Sequence, residues 1–424
     1  MKPTGNINFV SNPLSREQLL RETVLLMFCE PLPAQCRRLE NLSDKQWQSL
    51  LQWLDISGLA LYFLDRMVEL RRCGVLPHAV VARLEQNRSD NIDRTHGLAA
   101  ESVAIQREFQ GAELSYAILK GFSLCPDSVP KAELRQQFDL DFLVAEASAA
   151  KAREILESRG YRLYAISGRS WEFKINERPV TSMNDLYKDS PGRSVELHIE
   201  RDVAGRPGLL SRIERREFYG ISMPVLAPVD LFLGQGLHVY KHVYSGFSRA
   251  SHLLEFRRHV LYHRDDTVFW EELRLAAEDN PRAVLGLGMV TQLITRAMGD
   301  FAPEALKHWT VDRLPRCAWL WIDLYGRRVV FDNYPGSKLY LILQSELAIG
   351  GAATRRGLRQ ALWPGKLPPA IIRASAGESL AARIRRQRLQ LGHIRGRLQF
   401  HIVEGVRYLW ERYRWRQNLN RPIG

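Results

Sequence analysis

Cysteine is scarce and scattered in this 424-residue chain: Cys29, Cys36, Cys73, Cys125 and Cys317 are an odd set without a C-x-x-C pair. That leaves no disulfide framework and no zinc-finger spacing, and it suits reduced thiols. No run of about 18 apolar residues occurs, so no membrane-spanning helix is expected. The first residues lack the basic, apolar and small-residue succession of a secretory signal, and a cytoplasmic protein is the expectation. A Walker loop and a G-x-S-x-G elbow are also missing, which removes two common chemistries. Acidic residues are sparse at one end only. Residues 341–424 hold 16 Lys+Arg against 4 Asp+Glu, a surplus of 12 out of the chain's +13. The rest is near neutral, and a surplus that local marks a surface for nucleic acid, anionic lipid or an acidic partner.

What is present is ordinary globular composition, 45% hydrophobic and 25% charged, at a length that allows two or three domains or one core with a helical surround. Residues 14–110 read mostly as helix. Ser15 with Gln18 has the form of a capping box, Ser43 precedes Trp47, Leu50, Leu51 and Leu54, and 77–110 reads as one long helical passage. The pattern then changes. Leu114 to Leu119 is a short apolar run ending at Lys120-Gly121, the signature of a buried strand and a turn. Residues 147–159 form a helix, with Ser148 as its cap, Ala152, Ile155 and Leu156 inward, and Gly160 as its stop. Trp171 to Ile175 and Ser194 to Glu200 alternate as strands, and helix resumes near Val229. Pro364, Pro368 and Pro369 mark a joint before the basic tail.

The stretch Phe138-Asp139-Leu140-Asp141-Phe142-Leu143-Val144 organises the rest. On a strand Asp139 and Asp141 share one face, and two carboxylates so placed can both donate oxygen to a hard cation. A D-x-D also arises by chance roughly once in a chain this size. Its neighbours change the odds. Glu196, His198 and Glu200 share a face of the later strand, so Asp139, Asp141 and Glu196 form a carboxylate cage from two strands. Two ions about 4 Å apart in such a cage stabilise attacking and leaving oxygens in phosphoryl or nucleotidyl transfer. Glu196 can also accept the proton of an acceptor hydroxyl. Lys120 offers an ammonium to a triphosphate, and Gly121 allows close backbone approach. For His198 a phosphate or ligand-orienting role stands beside simple satisfaction by a neighbour. For Arg135 a triphosphate contact stands beside pairing with a local carboxylate. His238, Lys241 and His242 lie near one helical face, suited to phosphate or to solvent.

AILKGFSL, Arg135, FDLDFLV, a helix ending at Gly160-Tyr161, and SVELHIE together resemble the uncharacterised nucleotidyltransferases of the DNA polymerase β-like superfamily. That family shows an LKG turn, an arginine, a D-x-D strand, a helix followed by GY, and a D-L-H strand. His238, Lys241, His242, Arg249 and Glu255 sit where it tends to show H-x-x-K-H and R…D segments. The resemblance covers roughly residues 80–265. It implies metal binding (Mg²⁺ or Mn²⁺) by Asp139 and Asp141, with Glu196 in the place of the usual third aspartate. It implies NTP binding around Lys120, Gly121, Ser123, Arg135, His198, Lys241 and His242, where Lys120-Gly121 replaces the usual glycine-serine turn. The implied reaction moves a nucleoside monophosphate from an NTP, such as ATP, to an acceptor with loss of pyrophosphate. A silent nucleotide- or RNA-binding protein and a peripheral membrane factor are the rival readings.

The expected architecture is α+β: a small mixed sheet carrying the site, wrapped by N- and C-terminal helices. Its expected divisions are 1–110 helical, 111–225 nucleotidyltransferase core, 226–365 helical and 366–424 basic tail. In the tail Leu391, Ile394, Leu398, Ile402, Val406, Leu409 and Tyr413 recur at helical steps, with arginines on the other sides. Arg395, Arg397, Arg414 and Arg416, beside Trp410, Tyr413 and Trp415, suit RNA or another polyanionic acceptor. An anionic membrane and plain packing of the apolar stripe remain alternatives.

Overall fold

The computed structural model describes residues 14–176, 185–201, 207–246, 248–278, 280–347, 352–364 and 379–419; Pro368 and Pro369 of the expected joint lie outside them. Polar caps set the first helices. Ser15 and Gln18 satisfy each other's backbone at the start of α1 (Arg16–Leu26), and Ser43 with Gln46 does so for α2 (Asp44–Ser57). Then come α3 (Ala60–Glu69) and α4 (His78–Gly111), so the expected long passage is a single helix of 34 residues.

Seven strands form one mixed sheet among the described residues. They are β1 (Tyr116–Leu119), β2 (Asp139–Ala145), β3 (Arg162–Ser167), β4 (Ser170–Ile175), β5 (Arg193–Glu200), β6 (Ile213–Phe218) and β7 (Ile221–Leu226), in the order β3-β4-β5-β2-β1-β7-β6. β2 lies at the centre, parallel to β5 and antiparallel to β1. The expected α+β class holds. Its sheet is larger than the named strands foretold, since β3 and the β6–β7 hairpin close the two sides. β6 reads Ile-Glu-Arg-Arg-Glu-Phe, and four charges in a row conceal a strand from any apolar pattern.

Between β2 and β3 runs α5 (Ala149–Ser158). Ala152, Ile155 and Leu156 are buried as expected, but Ser148 is no cap. Its backbone is already helical at the end of a short 3₁₀ turn, and its Oγ accepts from the Ser115 N–H at 3.4 Å. α4 and α5 cover the apolar face of the sheet. Leu98, Ile105 and Phe109 pack with Leu140, Phe142, Val144, Val195 and Leu197, and the Phe109 and Phe142 rings meet edge to face at 5.4 Å. That burial commits the odd-numbered Asp139 and Asp141 to the opposite face.

On that opposite side stand α6 (Pro228–Ser245) and α7 (Ala250–Tyr262), followed by α8 (Thr267–Ala277) and α9 (Pro281–Met298). α1 to α3 and α6 to α9 share one apolar core: Val24, Leu54 and Phe63 belong to the same cluster as Phe232, Leu254 and Leu293.

The long terminal helix Leu380–Leu419 departs from expectation. Its buried residues are Glu404, Tyr408, Glu411 and Trp415, while Leu391, Val406, Leu409 and Tyr413 of the apolar stripe are 60–65% exposed. The packing reading of the stripe is thus overturned for these residues. One aromatic ring and one carboxylate with polar partners help to set the inward face: Trp415 Nε1 donates to Glu346 at 3.0 Å, and Glu404 accepts from the Lys338 N–H at 3.2 Å.

Candidate functional site

Parallel pairing sets Asp141 opposite Glu196 and Asp139 opposite Ser194, so the expected carboxylates fall on one face of two adjacent strands. The antiparallel neighbour puts Leu119 opposite Asp141, which delivers Lys120 to the same place. Lys120 Nζ donates to Asp141 Oδ1 at 2.8 Å, and His198 Nε2 lies 3.0 Å from that oxygen and 3.5 Å from Glu196 Oε2. Ser170, which carries no sequence signal of its own, donates to Glu196 from β4.

The turn carrying Lys120 is strained. Lys120 has φ +52° and Gly121 φ +49°, and a Cβ on Gly121 would collide with the Gln137 amide. A lysine held in that region belongs to a turn shaped for something other than stability. Ser123 is buried, and its Oγ donates to the Lys120 carbonyl at 2.8 Å, so it braces the turn from within.

The charges are arranged unequally. Burial, and then the negative Asp141 beside it, push the Asp139 carboxyl up to about 6. Burial acts on Asp141 too, but the His198 hydrogen bond and the Lys120 ammonium outweigh it and hold Asp141 well below the usual carboxylate range. Burial lowers His198, yet its bonds to Asp141 and Glu196 raise it overall. Glu196 is held low by His198, against burial, with help from Ser170. Asp141 thus carries a negative charge covered by the Lys120 ammonium and the His198 ring.

The donor set suits a divalent cation. Asp141, Glu196 and His198 each place one ligand atom within 4.8 Å of the others, and Asp139 lies two residues along the same strand face. Oxygen-rich sites of this kind take hard ions.

A cleft of about 590 Å³ opens beside these groups, lined by Lys120, Arg135, His198, His238, Lys241 and Glu255 among others. Arg135 sits against Glu255 at 3.3 Å, and Tyr62 donates to the same carboxylate at 2.9 Å. Phe138, next to Asp139, lies between two guanidiniums, Arg94 at 4.4 Å and Arg249 at 5.5 Å. Lys241 is exposed on α6. His242 Nε2 approaches His238 Nε2 at 3.1 Å, and His252 from α7 completes a three-ring cluster. Glu200, on the same strand face, is engaged apart from this group: it accepts the backbone N–H groups of Leu209 and Leu210. Arg395, Arg397 and Arg416 are exposed on the terminal helix, Arg414 pairs with Glu411 at 3.3 Å, and none of the four lines the cleft.

A family model described as an uncharacterised nucleotidyltransferase matches residues 43–292, more than half of the chain. The chain belongs to that family. A nucleotidyltransferase-like antigenic protein from Paracoccidioides brasiliensis is similar in structure at 14% identity, over 51% of this chain and 97% of that one. The TM-score is 0.28. No curated protein matches the chain.

Proposed function

We propose that this member of the nucleotidyltransferase family moves a nucleoside monophosphate from an NTP to an acceptor hydroxyl, with Mg²⁺ or Mn²⁺ and release of pyrophosphate. The observation that carries the reading is the register of Asp141 against Glu196, with Asp139 on the same face and Lys120 at 2.8 Å. Divalent ions held by Asp139, Asp141 and Glu196 would supply charge stabilisation to the oxygens that attack and leave. The side chains do the rest. Lys120, lining the cleft, meets the triphosphate, and Arg135 presents a guanidinium whose direction Glu255 fixes. Gly121 lets phosphate oxygens approach the backbone, Lys241 extends the cationic wall, and the His242 ring stands next to it on α6. Glu196, ionised at neutral pH, accepts the acceptor's proton. Pyrophosphate release from each NTP in turn, with and without Mg²⁺, tests the reading; release that ignores the metal, or none with any NTP, defeats it in favour of a silent nucleotide-binding protein.

Lys120 has two partners to lose. Lys120→Ala should raise KM for the NTP and leave kcat much less affected, because a point charge on the ground-state triphosphate acts mainly in binding. It should also tighten Mg²⁺ binding, since the ammonium competes for Asp141. Steady-state kinetics over an NTP and Mg²⁺ grid reads both, and unchanged constants would make Lys120 a strand-end residue only.

Protons compete with the cation at this site. Asp139, pushed up to about 6, must ionise, and His198, raised above its usual value, must release its proton before Asp141 is fully available. Both requirements have the same sign. Apparent Mg²⁺ affinity should therefore fall as pH drops through about 6, and a flat profile between pH 5 and 8 would contradict the assignment.

The terminal helix supplies the acceptor surface in this reading. Exposed Arg395, Arg397 and Arg416 stand with exposed Trp410 and Tyr413, a mixture that stacks on bases and neutralises phosphates. Changing Arg395, Arg397, Arg414 and Arg416 to Gln should weaken RNA binding and reduce its log–log salt slope by about 0.7 per lost phosphate contact. Binding that matches the parent at every salt concentration would remove the tail from the acceptor site.

A further inference from the structure

Away from the carboxylate face, α7 carries His259 and, one turn on at its C-terminal cap, His263, which are 0% and 9% exposed. Their Nε2 atoms are buried and without a hydrogen-bond partner. Their Nδ1 atoms are engaged. His259 Nδ1 lies 2.7 Å from Gln235 Oε1 and 2.9 Å from Ser128 Oγ, and His263 Nδ1 lies 3.5 Å from Asp266 Oδ2. A carbonyl or carboxylate on Nδ1 fixes the tautomer that leaves Nε2 as a bare lone pair, the usual second-layer arrangement around a metal-bound histidine. The third wall is Asp127, whose side chain is 8% exposed and whose Oδ2 faces Arg216 at 3.4 Å. One ligand atom from each of Asp127, His259 and His263 lies within 4.8 Å of the other two.

We infer that Asp127, His259 and His263 form a second metal site, for a transition-metal dication of the zinc class, distinct from the carboxylate cage. Two imidazoles and one carboxylate favour Zn²⁺ over the hard ion suited to Asp139 and Asp141. Two buried nitrogen lone pairs without partners are costly if left empty, and a dication held between the rings satisfies both. Water would supply the fourth ligand of a tetrahedral ion. The ion would be structural. Asp127 lies in the connection that follows the Lys120-Gly121 turn, whereas the histidines lie on the helix that presents Glu255 to Arg135. Binding there would pin the connection behind the phosphate turn to the helical core. Arg216 balances the Asp127 charge when the ion is absent.

The test uses the full chain carrying Asp139→Asn and Asp141→Asn, so that the cage takes no ion. After chelator treatment it is equilibrated with Zn²⁺, or with Co²⁺ as a spectroscopic probe. The expected result is one Zn²⁺ per chain and the visible bands of four-coordinate Co²⁺. Both should vanish with His259→Gln or His263→Gln and survive His238→Gln/His242→Gln, which disrupts the other histidine cluster. Gln235→Ala, which touches no ion, should weaken binding by about 10- to 100-fold. If the buried histidine variants fail to fold, Asp127→Asn answers instead: Zn²⁺ should raise the Tm of the parent and leave that of Asp127→Asn unmoved. The inference is overturned if the protein retains no Zn²⁺ at low-micromolar free metal. It is equally overturned if binding persists without these ligands or follows His238 and His242.

Discussion

Asp139→Asn and Asp141→Asn are each expected to cut NTP transfer by roughly a thousandfold or more, the scale on which loss of a charge-stabilising group appears in rate. The two should nevertheless move stability in opposite directions. Asp139 carries a carboxyl raised to about 6, chiefly by burial, so at pH 8 its ionised form is a burden on the fold. Asparagine removes that burden, and Asp139→Asn should melt at or above the parent temperature there. Asp141 is the reverse. Against burial, His198 and Lys120 hold it below the usual range, so its charge adds stability above the unfolded carboxylate value. That contribution disappears as pH falls through the folded value, and Asp141→Asn loses it at neutral pH. Paired rate and thermal-melt measurements at pH 8 check both signs. Turnover in the double variant equal to the parent's would end the catalytic assignment.

The parts of this site that were legible in the sequence are those set by short-range alternation. FDLDFLV and SVELHIE each place their polar residues on one face by strand geometry alone, and the buried Phe142, Val144, Val195 and Leu197 enforce it. The same run could not tell that β2 and β5 are parallel, which is what puts Asp141 opposite Glu196 rather than Asp139. Ser170 and His252 were illegible for a different reason. Each enters through a partner far along the chain, Glu196 in one case and His238 in the other. His259 and His263 have the i, i+4 spacing of a helical ligand pair, but Asp127 lies about 130 positions earlier, so the sequence shows no complete ligand set. The tail misled because periodicity records amphipathicity and not which neighbour is available. Its aliphatic stripe is the stronger pattern, yet Glu404, Glu411 and Trp415 find polar partners and turn inward, and the Tyr408 ring joins the apolar core beside them. Arg135 had two readings from sequence, and its contact with Glu255 supports one without removing the other.

Glu255→Ala separates them and should be the most destabilising single change at this site, costing about 3–5 kcal/mol. Glu255 has a side chain only 3% exposed, and it holds Arg135 at 3.3 Å and the Tyr62 hydroxyl at 2.9 Å. Removing it strands a largely buried guanidinium and a buried donor together, and so loosens α3, the strand connection and α7 at one point. A shift in denaturant midpoint without a change of slope measures the loss. Replacing both charges with apolar groups of similar volume, Arg135→Met with Glu255→Leu, leaves no unpaired ion and should recover most of that stability. Here the two roles of Arg135 part. If the arginine serves packing alone, the apolar pair will use NTP as the parent does. If it also contacts the triphosphate, the stable double variant will show a raised KM that no gain in folding restores, because the cleft keeps its shape and loses its guanidinium. Stability recovered and KM unchanged would assign Arg135 to the core.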